Sequence, residues 1–257
     1  MKAYLKVIAI LSIPLAFILL YAYTPMQLPP PGWKLSKISI SGKGGESLPE
    51  SMAEDTLSDA SEEGRRTQDT TAQRILFFGD SMVEGLLRRM NDYAFANGYS
   101  MTNVVWYSST TEIWAQTDTL RHFLQEVKPT FVMVSLGANE QFVKNANERE
   151  LYIRYILRQL GTTPYIWIGT PAWKEDTGIN DLTKRIVGKE RYFDSRQLEL
   201  QRGSDHMHPT FGAASEWMDS VAVWMQSPQT AHPIRMTKPE GNTGHHFRTH
   251  VLQPIKW

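Results

Sequence analysis

From Arg74 onward, short and nearly continuous apolar runs alternate with amphipathic helical stretches, and this alternation leaves few architectures open. Strand-like runs cover Arg74–Phe78, Met101–Tyr107, Thr130–Leu136 and Tyr165–Ile168, with a shorter one at Tyr192 and Phe193. Between them, apolar residues recur at helical spacing: Val83, Leu86, Leu87, Met90 and Ala94, then Ile153, Ile156, Leu157 and Leu160, then Ile179, Leu182 and Ile186. Thr117–Lys128 predicts a further helix that stops before Pro129, and Ala214, Trp217, Met218, Val221 and Trp224 form the last helical face. Strands apolar on both faces belong in a parallel sheet covered by helices on each side. The expectation is therefore an α/β domain over residues 74–228, a three-layer α/β/α sandwich around a five-stranded parallel sheet.

The segments outside this block differ in kind. Lys2 and Lys6 precede Val7–Tyr23, which carries no charge. Residues 1–24 therefore predict a membrane anchor or signal, and the lack of a clean Ala-x-Ala site favours an uncleaved anchor. The lysines would stay in the cytoplasm, placing the rest of the chain outside, periplasmic or extracellular. Residues 25–73 read as a flexible linker, with Pro29-Pro30-Pro31-Gly32 followed by a Ser-, Gly- and acid-rich stretch. Ile38 and Ile40 alternate with serine and hint at a short added strand. Residues 229–257 lose the pattern and read as a surface tail; His232, His245, His246 and His250 there lack acidic or Cys partners, so no metal is expected. The charge balance, 27 basic against 27 acidic residues, offers nothing for nucleic acid. With no Cys there is no disulfide, no thiolate chemistry and no lipid on an N-terminal Cys.

Three polar groups fall where an α/β sheet binds ligands, at the carboxyl ends of its strands. Gly79-Asp80-Ser81 follows the first strand and opens a helix; a serine there is exposed among helix N–H groups that favour negative charge. Ser81-Met82-Val83-Glu84 equally fits a capping box, in which that hydroxyl serves the helix alone. Gly137-Ala138-Asn139-Glu140 follows the third strand, and Asp205-His206-Met207-His208-Pro209 lies between the fifth strand and the last helix.

These motifs, in this order, resemble the SGNH hydrolase superfamily, the GDSL esterases, over residues 74–226. Gly79-Asp80-Ser81 matches its first block, Gly137-Ala138-Asn139 its third, with Glu140 in place of an Asp, and Asp205-x-x-His208 its fifth. The resemblance implies a flavodoxin-like fold with sheet order 2-1-3-4-5, needing neither cofactor nor metal. It implies Ser81 as nucleophile, His208 rather than His206 as base, and Asp205 as the partner of His208. The oxyanion hole would comprise Ser81, Asn139 and Ser109, the last because the second block's glycine is missing from Trp106-Tyr107-Ser108-Ser109-Thr110. Asp80 is expected only to form the turn. Gly137, Trp114 and Trp173 are expected at the substrate. The activity implied is a serine esterase removing small O-acyl groups, acetyl above all, from an extracytoplasmic carbohydrate. An O-acyltransferase on a cell-envelope glycan, or a non-catalytic glycan-binding protein of the same fold, are the alternatives.

Overall fold

The computed structural model describes residues 66–255; the expected anchor and most of the linker lie outside the described residues. Among the described residues no helix is long and apolar enough to cross a membrane. The chain runs β1 (Arg74–Gly79), α1 (Met82–Ala96), β2 (Ser100–Trp106), α2 (Thr111–Gln116), α3 (Thr119–Val127), β3 (Phe131–Ser135), α4 (Glu150–Leu160), β4 (Tyr165–Ile168), α5 (Ile179–Val187), β5 (Tyr192–Phe193), α6 (Phe211–Met225) and β6 (Arg248–Leu252). All strands are parallel, in the order β5-β4-β3-β1-β2-β6.

Alternating side chains of β1 feed two cores. Ile75 and Phe77 pack with Met82, Leu86 and Met90 of α1 and Trp217, Met218 and Val221 of α6. Leu76 and Phe78 pack on the opposite face with Trp114, Phe123, Ile153 and Leu182 from α2, α3, α4 and α5. Both sets lie at or near zero exposure, as expected for strands covered on each side. Gly79 ends β1 where β3 comes closest: a Cβ there would sit 1.8 Å from the Ser135 carbonyl oxygen. Only glycine permits that approach, which brings the two loops of the site together.

Several expectations need correction. The sheet has six strands, not five, because the expected surface tail supplies β6, which pairs with β2 from Thr102–Arg248 to Trp106–Leu252. The tail reaches that edge by wrapping α1. Buried Asn97 exchanges hydrogen bonds with the backbone of Thr237, and buried Asp92 accepts from both the N–H and the hydroxyl of Thr243. Ile234 and Met236 are buried on the way. An edge strand faces solvent and tolerates polar residues, so Arg248-Thr249-His250-Val251-Leu252 carries no apolar run by which to recognise it. At the other end, the last linker residues belong to the domain. Asp69 bridges to Ile234, its N–H donating to Pro233 O at 2.8 Å and its carbonyl accepting from Arg235 N at 2.9 Å. The stretch 111–116, not expected as a helix, forms α2, and the helix expected from Thr117 begins at Thr119.

Candidate active site

Ser81 stands between β1 and α1 in a helical backbone conformation (φ −61°, ψ −19°) and makes no side-chain cap bond. Glu84, its capping-box partner, instead accepts from the Tyr107 hydroxyl at 2.8 Å. The Ser81 hydroxyl is thus left for another partner. That partner is His208, whose Nε2 lies 2.8 Å from Ser81 Oγ across 127 positions of sequence. The other ring nitrogen, Nδ1, lies 2.6 Å from Asp205 Oδ2. Asp205 Oδ1 accepts from the backbone N–H groups of Met207 (2.9 Å) and His208 (3.0 Å). The His208 imidazole and these two N–H groups hold the Asp205 carboxyl well below the usual carboxylate range.

The loop that carries His208 is built to reach back across the sheet. Its two arms pair through Gly203 N to His208 O (2.8 Å) and Thr210 N to Gln201 O (2.9 Å). Arg202 then ties the loop to the end of β4, donating to Met207 O at 2.8 Å and to Ala172 O at 3.0 Å. Thr210 caps α6 through Ala213 N, so the helix starts immediately behind the histidine. His206 is exposed in a left-handed conformation (φ 58°), and its ring makes no hydrogen bond among the described residues.

The opposite side of the serine departs from expectation at three residues, Ser109, Trp114 and Gly137. Ser109 is fully buried and its N–H donates to Trp106 O at 3.2 Å, so it is not an oxyanion donor. Trp114 is fully buried against Phe78 and Trp106, and its indole N–H donates to Ser109 Oγ at 2.9 Å; it is a core residue with no access to substrate. The residue in the glycine-like conformation is Ser108, at φ 59°. It is exposed, and its N–H has no partner among the described residues. Because Gly79 pairs with Val105, Tyr107 and Ser108 come level with Ser81 at the carboxyl edge. The sequence signal was the absent glycine itself: the turn still needs a positive φ, and a serine adopts it.

Asn139 donates through Nδ2 to Ser109 O at 2.9 Å, and its second amide N–H has no partner among the described residues. Gly137 is buried at φ 125° with its N–H turned to Asp80, so it shapes the turn and does not line the site. Trp173 is half-buried at this edge, its ring edge-to-face with exposed Phe142 at 5.3 Å and the Lys174 ammonium 4.9 Å from its centroid.

Asp80 does more than form the turn. It is fully buried; Oδ1 accepts from Met82 N (3.0 Å), and Oδ2 accepts from Gly137 N (3.2 Å) and Ala138 N (3.0 Å). It thereby clamps the serine turn to the asparagine turn. Burial pushes its carboxyl up to about 6, against the pull of those N–H groups. Asp80→Asn is expected to destabilise the fold by roughly 1–3 kcal/mol, because the new NH2 group must face a backbone donor. A folded-state value above the unfolded one means that this carboxyl favours the fold most below about pH 4, an advantage lost as pH rises through about 6. Urea midpoints at pH 4 and pH 8 should therefore show a wider gap between wild type and variant at pH 4.

Glu140 is also fully buried, accepting from Thr111 N and Thr111 Oγ1, both at 2.8 Å, with Arg149 Nε 3.1 Å away. Among the described residues no group of three or more His, Asp or Glu side chains is placed to hold a metal ion. No family model matches the chain, and no curated protein matches it.

Proposed function

We propose that this protein is a serine hydrolase of the SGNH type, with a flavodoxin-like domain that cleaves small O-acyl esters. The observation that carries the reading is the continuous chain from Ser81 Oγ through the His208 imidazole to the Asp205 carboxylate, at 2.8 and 2.6 Å. These are hydrogen-bond distances for a nucleophile, its base and the group that orients the base. Ionised Asp205 keeps the proton on Nδ1 and leaves the Nε2 lone pair facing the hydroxyl. Ser81 Oγ attacks the acyl carbon as its proton passes to Nε2. Negative charge gathers on the former carbonyl oxygen, where the N–H groups of Ser81 and Ser108 and the free amide N–H of Asn139 would receive it. Collapse breaks the ester bond, and the Nε2 proton leaves with the alcohol. Water, activated by the same imidazole, then releases the acid from Ser81.

The site is open: the side chains of His208 and Asp205 are 37% and 50% exposed. Such an edge admits water to the acyl-enzyme and admits a bulky alcohol, which favours a hydrolase acting on a small acyl group carried by a large substrate. An O-acetylated carbohydrate outside the membrane, reached by a domain tethered through residues 1–24, is the substrate class we assign. Labelling with a fluorophosphonate probe tests the chemistry. Wild type should react at Ser81, identified by mass spectrometry of the labelled peptide, and Ser81→Ala should not. A folded wild-type protein that stays unlabelled would overturn the reading.

A further inference from the structure

We infer that Glu140, held by Arg149, is a positioning residue that sets the oxyanion loop of this site. This rests on the hydrolase reading above. The loop from Tyr107 to Thr110 faces an unusual demand. It must present the Ser108 N–H in a left-handed turn without glycine, a conformation that is costly for an L-residue. Such a conformation persists only where its surroundings over-determine it.

The surroundings here come from two consecutive residues of the β3 turn. Asn139 donates to Ser109 O at 2.9 Å, one residue after Ser108. Glu140 accepts from both the N–H and the hydroxyl of Thr111, three residues after Ser108 and the first residue of α2. Trp114 adds a bond from within α2, its indole donating to Ser109 Oγ at 2.9 Å. The loop is thus gripped on its distal side at three points. On its proximal side Tyr107 is held by its N–H on Leu252 O (3.1 Å) and its hydroxyl on Glu84 (2.8 Å).

Glu140 lies in a site with no exposure, where burial raises its carboxyl above the usual range and its charged form needs a counter-ion. Arg149 provides it, with Nε 3.1 Å from Glu140 Oε1 and Nη1 2.9 Å from Glu112 Oε2. Tyr152 donates to the other Glu112 oxygen at 2.9 Å. Glu112 belongs to α2, so Arg149 clamps that helix to Glu140 through both its carboxylate contacts. The pair spans the same two loops that supply the Ser108 N–H and the Asn139 amide. A glutamate reaches Thr111 where an aspartate, one methylene shorter, would have to draw the loops together. The departure at position 140 and the missing glycine at the end of β2 therefore belong to one device.

The test uses kinetics on a small acyl ester with Glu140→Gln and Thr111→Val. Both keep side-chain volume; the first leaves either the Thr111 N–H or the Arg149 guanidinium facing an amide NH2, and the second removes only the hydroxyl bond. The expected result is a fall in kcat of about 10–100-fold for Glu140→Gln and a smaller fall for Thr111→Val, with KM unchanged, since the oxyanion forms only in the transition state. Affinity for a boronic acid, which mimics the tetrahedral oxyanion on Ser81, should weaken in step with kcat. A merely structural role would lower the melting temperature and leave kcat, KM and boronate affinity of the folded fraction unchanged. That outcome, or a rise in KM alone, would overturn the inference while wild-type labelling at Ser81 stands. Should Glu140→Gln not fold, Thr111→Val decides by the same readouts. A wild type that labels nowhere removes the hydrolase reading, and this inference with it.

Discussion

His208→Ala is expected to lower turnover of a small acyl ester by on the order of 10⁴-fold or more, while His206→Ala leaves it near the wild-type rate. The two histidines are two positions apart and differ entirely in setting. The His208 ring lies between Ser81 and Asp205. The His206 ring is exposed and has no hydrogen-bond partner among the described residues. Loss of the base leaves Ser81 as an ordinary alcohol in a shaped site. Steady-state rates for the two variants, with circular dichroism to verify folding, check the result; the reverse pattern would move the base to His206.

Asp205→Asn should cost up to about 10⁴-fold in kcat with little loss of stability. The asparagine carbonyl can still accept from Met207 N and His208 N, as Asp205 Oδ1 does, so the turn is preserved. Its NH2 group then faces His208 Nδ1 and donates to it. That fixes the proton on Nε2, which would point a hydrogen at Ser81 Oγ in place of a lone pair. A melting temperature near wild type together with a collapsed kcat is the expected signature. A variant that keeps its rate would show that the Asp205–His208 contact, short as it is at 2.6 Å, orients nothing.

Much of this was legible in the chain. Ile75–Phe78, Val132–Val134 and Ile166–Ile168 are apolar on both faces, so their burial followed from local composition. Ser81 and Asp205-x-x-His208 were legible because each depends on a short local geometry, a strand-to-helix turn and an i,i+3 contact within one loop. β6 was not, because an edge strand needs no apolar face and is defined by pairing with β2 from more than a hundred residues away.

The sequence by itself determined which residues can do chemistry and at which ends of which strands they fall. The alternation of apolar runs dictates a sheet with two covered faces, and such a sheet collects its loops at one edge. Only the tertiary structure decided how those loops are locked to one another. It buried Trp114 and turned the Ser109 N–H inward, leaving Ser108 to present its own. It made Asp80, expected only to form the turn, and Glu140 into buried clamps whose partners lie 57 and 29 positions away. Those outcomes depend on which backbone N–H groups remain unpaired once the strands are in register, and no local pattern of side chains records that.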